Sequence, residues 1–266
     1  MQISFFKYHG TGNDFIIIDN RNNNYNKLNQ SAIANICHRQ FGIGGDGLML
    51  LGNRDGYDFE MSYYNSDGNQ STMCGNGGRC IVAFAHKLGI IENTAKFIAI
   101  DGEHEAFMVD KKNEEIIIKL KMKDVDTIQE IDSSFFLNTG SPHYVEYVKD
   151  IENIDVFNKG KTIRNHKMHT SEGTNVDFIE QKKDYLFVRT YERGVENETL
   201  SCGTGVTAAA LVVASKNKSN LLVNNYLIKT LGGFLKVHFE KVSENSFKNI
   251  WLEGPATFVF KGEINI

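Results

Sequence analysis

Met73–Cys80 reads MCGNGGRC, and Ser201–Val206 reads SCGTGV. Both carry Cys-Gly-x-Gly, and both run straight into an apolar segment with helical spacing. After Cys74 the apolar residues Ile81, Val82, Phe84, Ala85 and Leu88 follow at that spacing, with Gly89 as a stop. After Cys202 the segment Gly203–Ala214 carries no charge at all, and a helix apolar on every side belongs in a core. A chain that places the same cysteine turn at the mouth of two buried helices is most simply two copies of one domain.

Working outward, the flanking sequence repeats in the same order. HGTGNDFIII, from His9, resembles NTGSPHYVEYV, from Asn138; GIGGDGLML, from Gly42, resembles EGTNVDFIE, from Glu172; YNSDGNQSTMCGNG, from Tyr64, resembles YERGVENETLSCGTG, from Tyr191. Between these landmarks lie short β-rich runs bounded by turn residues, among them DFIIID, GLMLL, YDFEMSYY and EIIIKLKM in the first half and NVDFIE, YLFVRTY, FLKVHFE, IWLEG and ATFVFKGEI in the second. A third helix is expected over Ser31–Arg39. The fold expected is α+β: two similar domains, each a β-barrel-like sheet wrapped around a central helix. The boundary is placed in the polar stretch Asp124–Asp132, giving residues 1–125 with Cys74 and 126–255 with Cys202, and the last strand, about 256–266, is a candidate to return to the first domain.

Composition narrows the function. The 266 residues carry 29 basic and 33 acidic side chains, a net charge of −4, which offers no footprint for nucleic acid. No apolar run approaches the roughly 20 residues a membrane span needs, and MQISFFKYHGTGNDF reads as no signal peptide, so a cytoplasmic location is expected. Four cysteines (Cys37, Cys74, Cys80 and Cys202) are too few for a disulfide scaffold in a chain this long. Cys74 and Cys80 are six apart and His166 and His169 three, which departs from the usual zinc spacings, and no metal is expected.

The chemistry of the turns points one way. Glycines let a backbone approach a ligand closely, and a helix N-terminus presents free N–H groups and the positive end of the dipole. Such a turn suits a carboxylate and should favour a thiolate. Neither turn has the Gly-Lys-Ser/Thr ending of a phosphate loop. Inverting a stereocentre beside a carboxylate requires a base on one face and an acid on the other, with donors for the charge that spreads into the carboxylate. Two cysteines at two helix starts supply these parts.

From KYHGTGNDFIIID through FGIGGDG, YNSDG, MCGNGGRC, TGSPHYV, NVDFI, YERG and SCGTG, the chain resembles the diaminopimelate epimerase family over nearly its whole length. The resemblance implies a cofactor-independent isomerase acting on LL- and meso-diaminopimelate, a small-molecule site in a cleft between the two domains, and a homodimer. It implies that Cys74 and Cys202 are the catalytic pair. Gly75, Asn76, Gly203 and Thr204 match the helix-start positions that bind the reacting carboxylate, and Asn13 a substrate-binding asparagine. Arg193 matches the grip on the distal carboxylate, Glu192 the partner of the distal ammonium, and Asn65 and Asn175 their supports. His143 matches a histidine that supports activity, and packing behind the site is the other reading of it. Two positions depart from the family pattern: Gly47 stands where many members have glutamine, and Ser141 where many have asparagine. The related proline and hydroxyproline epimerases also use two cysteines, but their first turn reads Cys-Gly-His-Gly, whereas Asn76 stands here. A non-catalytic amino-acid-binding protein of the same fold would have no need of both thiols.

Overall fold

The computed structural model describes residues 2–166, 173–217 and 224–266; His169 and Glu172 lie outside the described residues. In chain order the elements are β1 (Gln2–Gly10), β2 (Asn13–Asp19), α1 (Gln30–Cys37), β3 (Gly47–Gly52), β4 (Phe59–Asn65), β5 (Gln70–Ser71), α2 (Gly75–Lys87), β6 (Thr94–Ala99), β7 (Gly102–Lys112) and β8 (Glu115–Lys121). There follow β9 (Gln129–Ile131), β10 (Ser134–Asn138), β11 (Pro142–Tyr147), α3 (Val156–Arg164), β12 (Asn175–Gln181), β13 (Leu186–Glu192), β14 (Asn197–Thr199), α4 (Gly203–Lys216), β15 (Asn225–Thr230), β16 (Gly233–Lys241) and β17 (Phe247–Asn265). The chain forms two compact units, Met1–Leu120 with Gly254–Ile266, and Lys121–Glu253. No helix among the described residues is long and apolar enough to cross a membrane.

In the first unit the strands close on themselves in the order β1-β2-β3-β4-β6-β7-β8 and then the second part of β17, which pairs with both β8 and β1. Two pairings, β2 with β3 and β4 with β6, are parallel. A parallel connection needs a long crossover, and α1 and α2 lie in these two crossovers. Strand alternation decides which helix each face meets. Ile16, Ile18, Leu48 and Leu50 pack on α1 through Ile33, Ile36 and Cys37. The opposite face takes α2: Gly77 sits against Met49 and Phe15, and Phe84 stacks obliquely on Phe6 with ring centroids 4.8 Å apart. The strands β2 and β3 therefore read as unbroken apolar runs because both of their faces are covered.

The second unit repeats this plan: β10-β11-β12-β13-β15-β16 and the first part of β17, with β11–β12 and β13–β15 parallel. The segment before β10 completes the ring, since β9 pairs with β10 and Val125 bridges Phe247. Here α4 is the buried helix and α3 covers the outer face, with Val156 packed on Val176, Phe178 and Tyr191.

Two sequence expectations change. The helix α3 is absent from the sequence reading: VFNKGKTIR has a weak apolar stripe, with charges between, and only Val156 and Gly160 are buried. Its signals are local: Asp155 caps the N-terminus by accepting from the Asn158 N–H at 3.0 Å, and Gly160 has no side chain because a Cβ there would come within 2.4 Å of Tyr191 Cβ. The runs IWLEG and ATFVFKGEI, read as two strands around Pro255, form the single strand β17. Proline is tolerated because Pro255 is paired on one side only, opposite Ile117, at the point where the strand passes from one unit to the other.

Candidate active site

In the first unit Cys74 occupies the N-cap position of α2, in extended conformation and partly buried, and its side chain does not cap the helix. Its thiol donates instead to Asn13 Oδ1 at 3.7 Å. That carbonyl also accepts from Asn76 Nδ2 at 3.1 Å, while Asn13 Nδ2 donates to Asp46 Oδ2 at 2.7 Å. A carboxylate at one end and an Asn76 N–H at the other leave the Asn13 amide one orientation, carbonyl toward Cys74. Behind it stands a neutral set of two cations and two anions: Arg39 bridges Asp14 and Asp46, and Lys7 pairs with Asp14 at 2.6 Å. Burial alone would raise the Asp14 carboxyl, but hydrogen bonds from Arg39 and Lys7 and their charges overcome it and hold it at about 2. Asp14, Asp46 and Asp67 are thus occupied with local partners, as their turn positions imply.

On the other side of the Cys74 turn lies Arg79, which is fully buried. Its guanidinium donates to Gly75 O at 3.1 Å, Asn76 Oδ1 at 2.9 Å and Pro255 O at 3.3 Å. Cys80 and Cys37 are buried packing residues, and burial pushes both thiols up to about 12.

In the second unit Cys202 is the N-cap of α4 and is buried. Its sulfur lies 3.5 Å from Thr204 Oγ1, and the charge of the Glu192 carboxylate acts on the thiol. Glu192, which the family pattern places at the distal ammonium, accepts a hydrogen bond from Thr199 Oγ1. Thr204 Oγ1 is 2.9 Å from His143 Nε2, His143 Nδ1 is 2.7 Å from Asp177 Oδ2, and Asp177 Oδ1 accepts from Thr190 Oγ1 at 2.7 Å. His143 and Asp177 are wholly buried, and the histidine packs behind the turn with its other nitrogen on the Thr204 hydroxyl. Asn175 accepts from the Arg193 N–H at 2.9 Å and donates to Pro142 O at 3.2 Å.

The expectation that a helix start favours the thiolate is reversed at Cys202. Burial, then the charges of Glu192 and Asp177, push its thiol well above the ordinary range, against the pull of the Thr204 hydroxyl and the Gly205 N–H. Burial likewise raises Glu192, opposed by its hydrogen bond from Thr199 and by His143. Desolvation thus favours the protonated form of both groups.

Strand register shows how the two copies diverge. Phe15 pairs with Gly47, and Met49 with Tyr63, in the first unit; His143 pairs with Asn175, and Asp177 with Thr190, in the second. Where one helix start rests on Phe15, Met49 and Tyr63, the other rests on the His143–Asp177–Thr190 chain. The sequence reading missed Asp177, Thr190 and Arg79; the only signal was a polar residue at a core position of a strand or helix. Gly47 is explained by space, since a Cβ there would fall 2.6 Å from both the Tyr63 ring and Tyr64 O. Ser141 contributes its backbone carbonyl, which accepts from the Thr139 N–H at 3.2 Å. Asn65 lies at the exposed end of β4, its backbone closing the turn to Asn69.

Comparison with known proteins agrees with the duplicated plan. The family model described as diaminopimelate epimerase matches twice, over residues 5–128 and 135–259. A diaminopimelate epimerase of Flavobacterium psychrophilum is 53% identical over 264 residues, covering 98% of this chain and all of that one. One from Aquifex aeolicus is 34% identical, covering 99% and 98%. Among solved structures, a PhzF-family phenazine biosynthesis protein of Bacillus anthracis superposes with a TM-score of 0.74 at 16% identity, each chain covered in full. A hydroxyproline epimerase from Agrobacterium vitis gives 0.73 at 12% identity, covering 99% and 92%; at these identities the likeness is one of fold. With its fold and both of its cysteine turns accounted for along the whole sequence, the chain belongs to the diaminopimelate epimerase family of isomerases.

Proposed function

We propose that the chain interconverts LL- and meso-diaminopimelate without a cofactor, by removing the α-proton with one thiol and replacing it from the other on the opposite face. The observation that carries this reading is that both buried helices begin at a cysteine whose thiol has a polar partner, Asn13 Oδ1 at 3.7 Å for Cys74 and Thr204 Oγ1 at 3.5 Å for Cys202. Membership in a family whose relatives bear the epimerase name supplies the substrate.

In the forward direction Glu192 takes the Cys202 proton as substrate enters, and the thiolate abstracts the α-proton of the LL isomer. Cys74, still a thiol, gives its own proton to the opposite face and is left as the thiolate. The reverse reaction starts from that state; for another forward turnover Glu192 gives its proton to solvent and Cys74 takes one from solvent after the product leaves, which restores the starting state. Negative charge passes into the substrate carboxylate, and the N–H groups of Gly75, Asn76, Gly203 and Thr204 receive it. His143 holds the Thr204 hydroxyl, and Asn13 holds the Cys74 thiol. Arg193 takes the distal carboxylate with Asn65 and Asn175 in support, a planar guanidinium being suited to a bidentate grip. All four cysteines are free thiols, which suits the cytoplasmic location we assign.

The test is a substrate panel followed by chiral chromatography. LL-diaminopimelate should convert to an equilibrium mixture with the meso form, and L-proline and trans-4-hydroxy-L-proline should be inert. Turnover of the proline compounds alone would replace this reading with that of a proline-type epimerase.

A further inference from the structure

Arg79 is a buried cation that none of the reading above uses. Its side chain is fully buried, yet its three partners are Gly75 O, Asn76 Oδ1 and Pro255 O, all uncharged. A buried guanidinium held only by neutral acceptors is costly unless a charge is to be met nearby. The equivalent residue of the second copy, five after its cysteine, is Thr207, which merely bonds back to Gly203 O at 2.9 Å. The cation is therefore specific to the Cys74 turn.

Among the described residues no carboxylate pairs with it. Lys7, Arg39, Asp14 and Asp46 balance one another. Asp101, which accepts from the Met73 N–H, lies 3.3 Å from His104. From α2 and β1, Cys80 and Tyr8 face the same interior and burial keeps both protonated. Desolvation draws Arg79 down to about 10, while Cys80 and Cys74 pull the other way. Arg79 holds the carbonyl of Gly75, the residue after Cys74, and the Asn76 amide that also bonds Asn13 beside the Cys74 sulfur, the atom that the reaction makes an anion.

We propose that Arg79 is a positioning residue of the site: it fixes the Asn76 amide that holds Asn13 against Cys74, and its unneutralised charge is the counter-ion of the Cys74 thiolate. The two thiols then differ by construction. Cys74 stands beside a buried cation, and Cys202 beside the carboxylates of Glu192 and Asp177. This rests on Cys74 being one of the reacting thiols, but its test does not require turnover.

The rate of iodoacetamide alkylation at Cys74 and at Cys202 is followed against pH, each peptide quantified by mass spectrometry. In the wild-type chain the Cys74 midpoint should lie below the roughly 8.5 of an ordinary thiol and below that of Cys202. Arg79→Gln, which keeps a donor for Asn76 and removes the charge, should raise the Cys74 midpoint by about one pH unit, a tenfold change in thiolate fraction at fixed pH. It should leave Cys202 unmoved. Arg79→Lys should keep the midpoint low. A Cys74 midpoint unchanged in Arg79→Gln, or one in the wild-type chain at or above that of Cys202, overturns the proposal. The wild-type comparison decides the matter even where the variants fail to fold, and a low midpoint without isotope exchange would leave this proposal standing while removing the epimerase reading.

Discussion

Gly205→Ala is the substitution that the geometry of the second turn penalises most directly. A Cβ on Gly205 would lie 2.3 Å from Asp177 Oδ1 and 3.2 Å from Thr190 Oγ1. Ordinary contact begins at 3.4 Å, so the carboxylate and the helix must part by about 1 Å. Neither has room to yield, because α4 is buried along its length and Asp177 is wholly enclosed. The movement breaks the hydrogen bonds of Asp177 to Thr190 and His143, both 2.7 Å. Two charge-assisted bonds are together worth about 4 kcal/mol, and alanine in place of glycine in a helix returns about 1 kcal/mol. The net loss is about 3 kcal/mol, which for a chain of this size lowers Tm by roughly 6–12 °C. Thermal unfolding monitored by circular dichroism measures it, and activity should fall as well because the Gly205 N–H acts on Cys202. A variant as stable as the wild type would show that α4 does not press on Asp177 as described.

Other consequences follow from the same contacts. Glu192→Gln removes the group that receives the Cys202 proton, and kcat/KM for the LL isomer should fall about 10²–10⁴-fold while Tm changes little; an undiminished rate would remove Glu192 from the proton path. Asp14 has its pKa depressed to about 2, so its contribution is full above about 4 and is lost as pH falls through 2. From the 3.8 reference this amounts to roughly 2 kcal/mol. In urea titrations at pH 2–5, Asp14→Asn should abolish that part of the acid sensitivity, and an identical pH profile would contradict it.

The core architecture was legible because it rests on patterns that survive duplication. Two cysteine turns before two apolar helices, and strands apolar on both faces around Ile16–Ile18 and Leu48–Leu50, leave few ways to bury the chain. The helix α3 was illegible because it covers an outer face with a single deep contact, Val156, and a glycine whose reason is the distant Tyr191. The positions of Cys74 and Cys202 at two helix starts could be read from local spacing. The partners of the thiols could not. Glu192 is ten residues from Cys202 and its charge acts on the thiol only once the chain between β13 and α4 folds back, and Asp177 becomes a partner of His143 only once β12 lies parallel to β11. Sequence similarity of the two copies also concealed their chemical difference, which lies at register positions where Phe15 is exchanged for His143, Met49 for Asp177 and Tyr63 for Thr190.

The central claim is that two thiols, one from each helix start, carry the proton across the α-carbon. It is tested by incubating LL-diaminopimelate in deuterium oxide with the wild-type chain and with Cys74→Ala and Cys202→Ala, and reading the product by mass spectrometry and proton NMR. The account predicts one deuterium at a single α-carbon with the wild-type chain and no net epimerisation with either variant when the circular dichroism spectrum is unchanged. Meso product formed without deuterium, or epimerisation that persists in either folded variant, would contradict it.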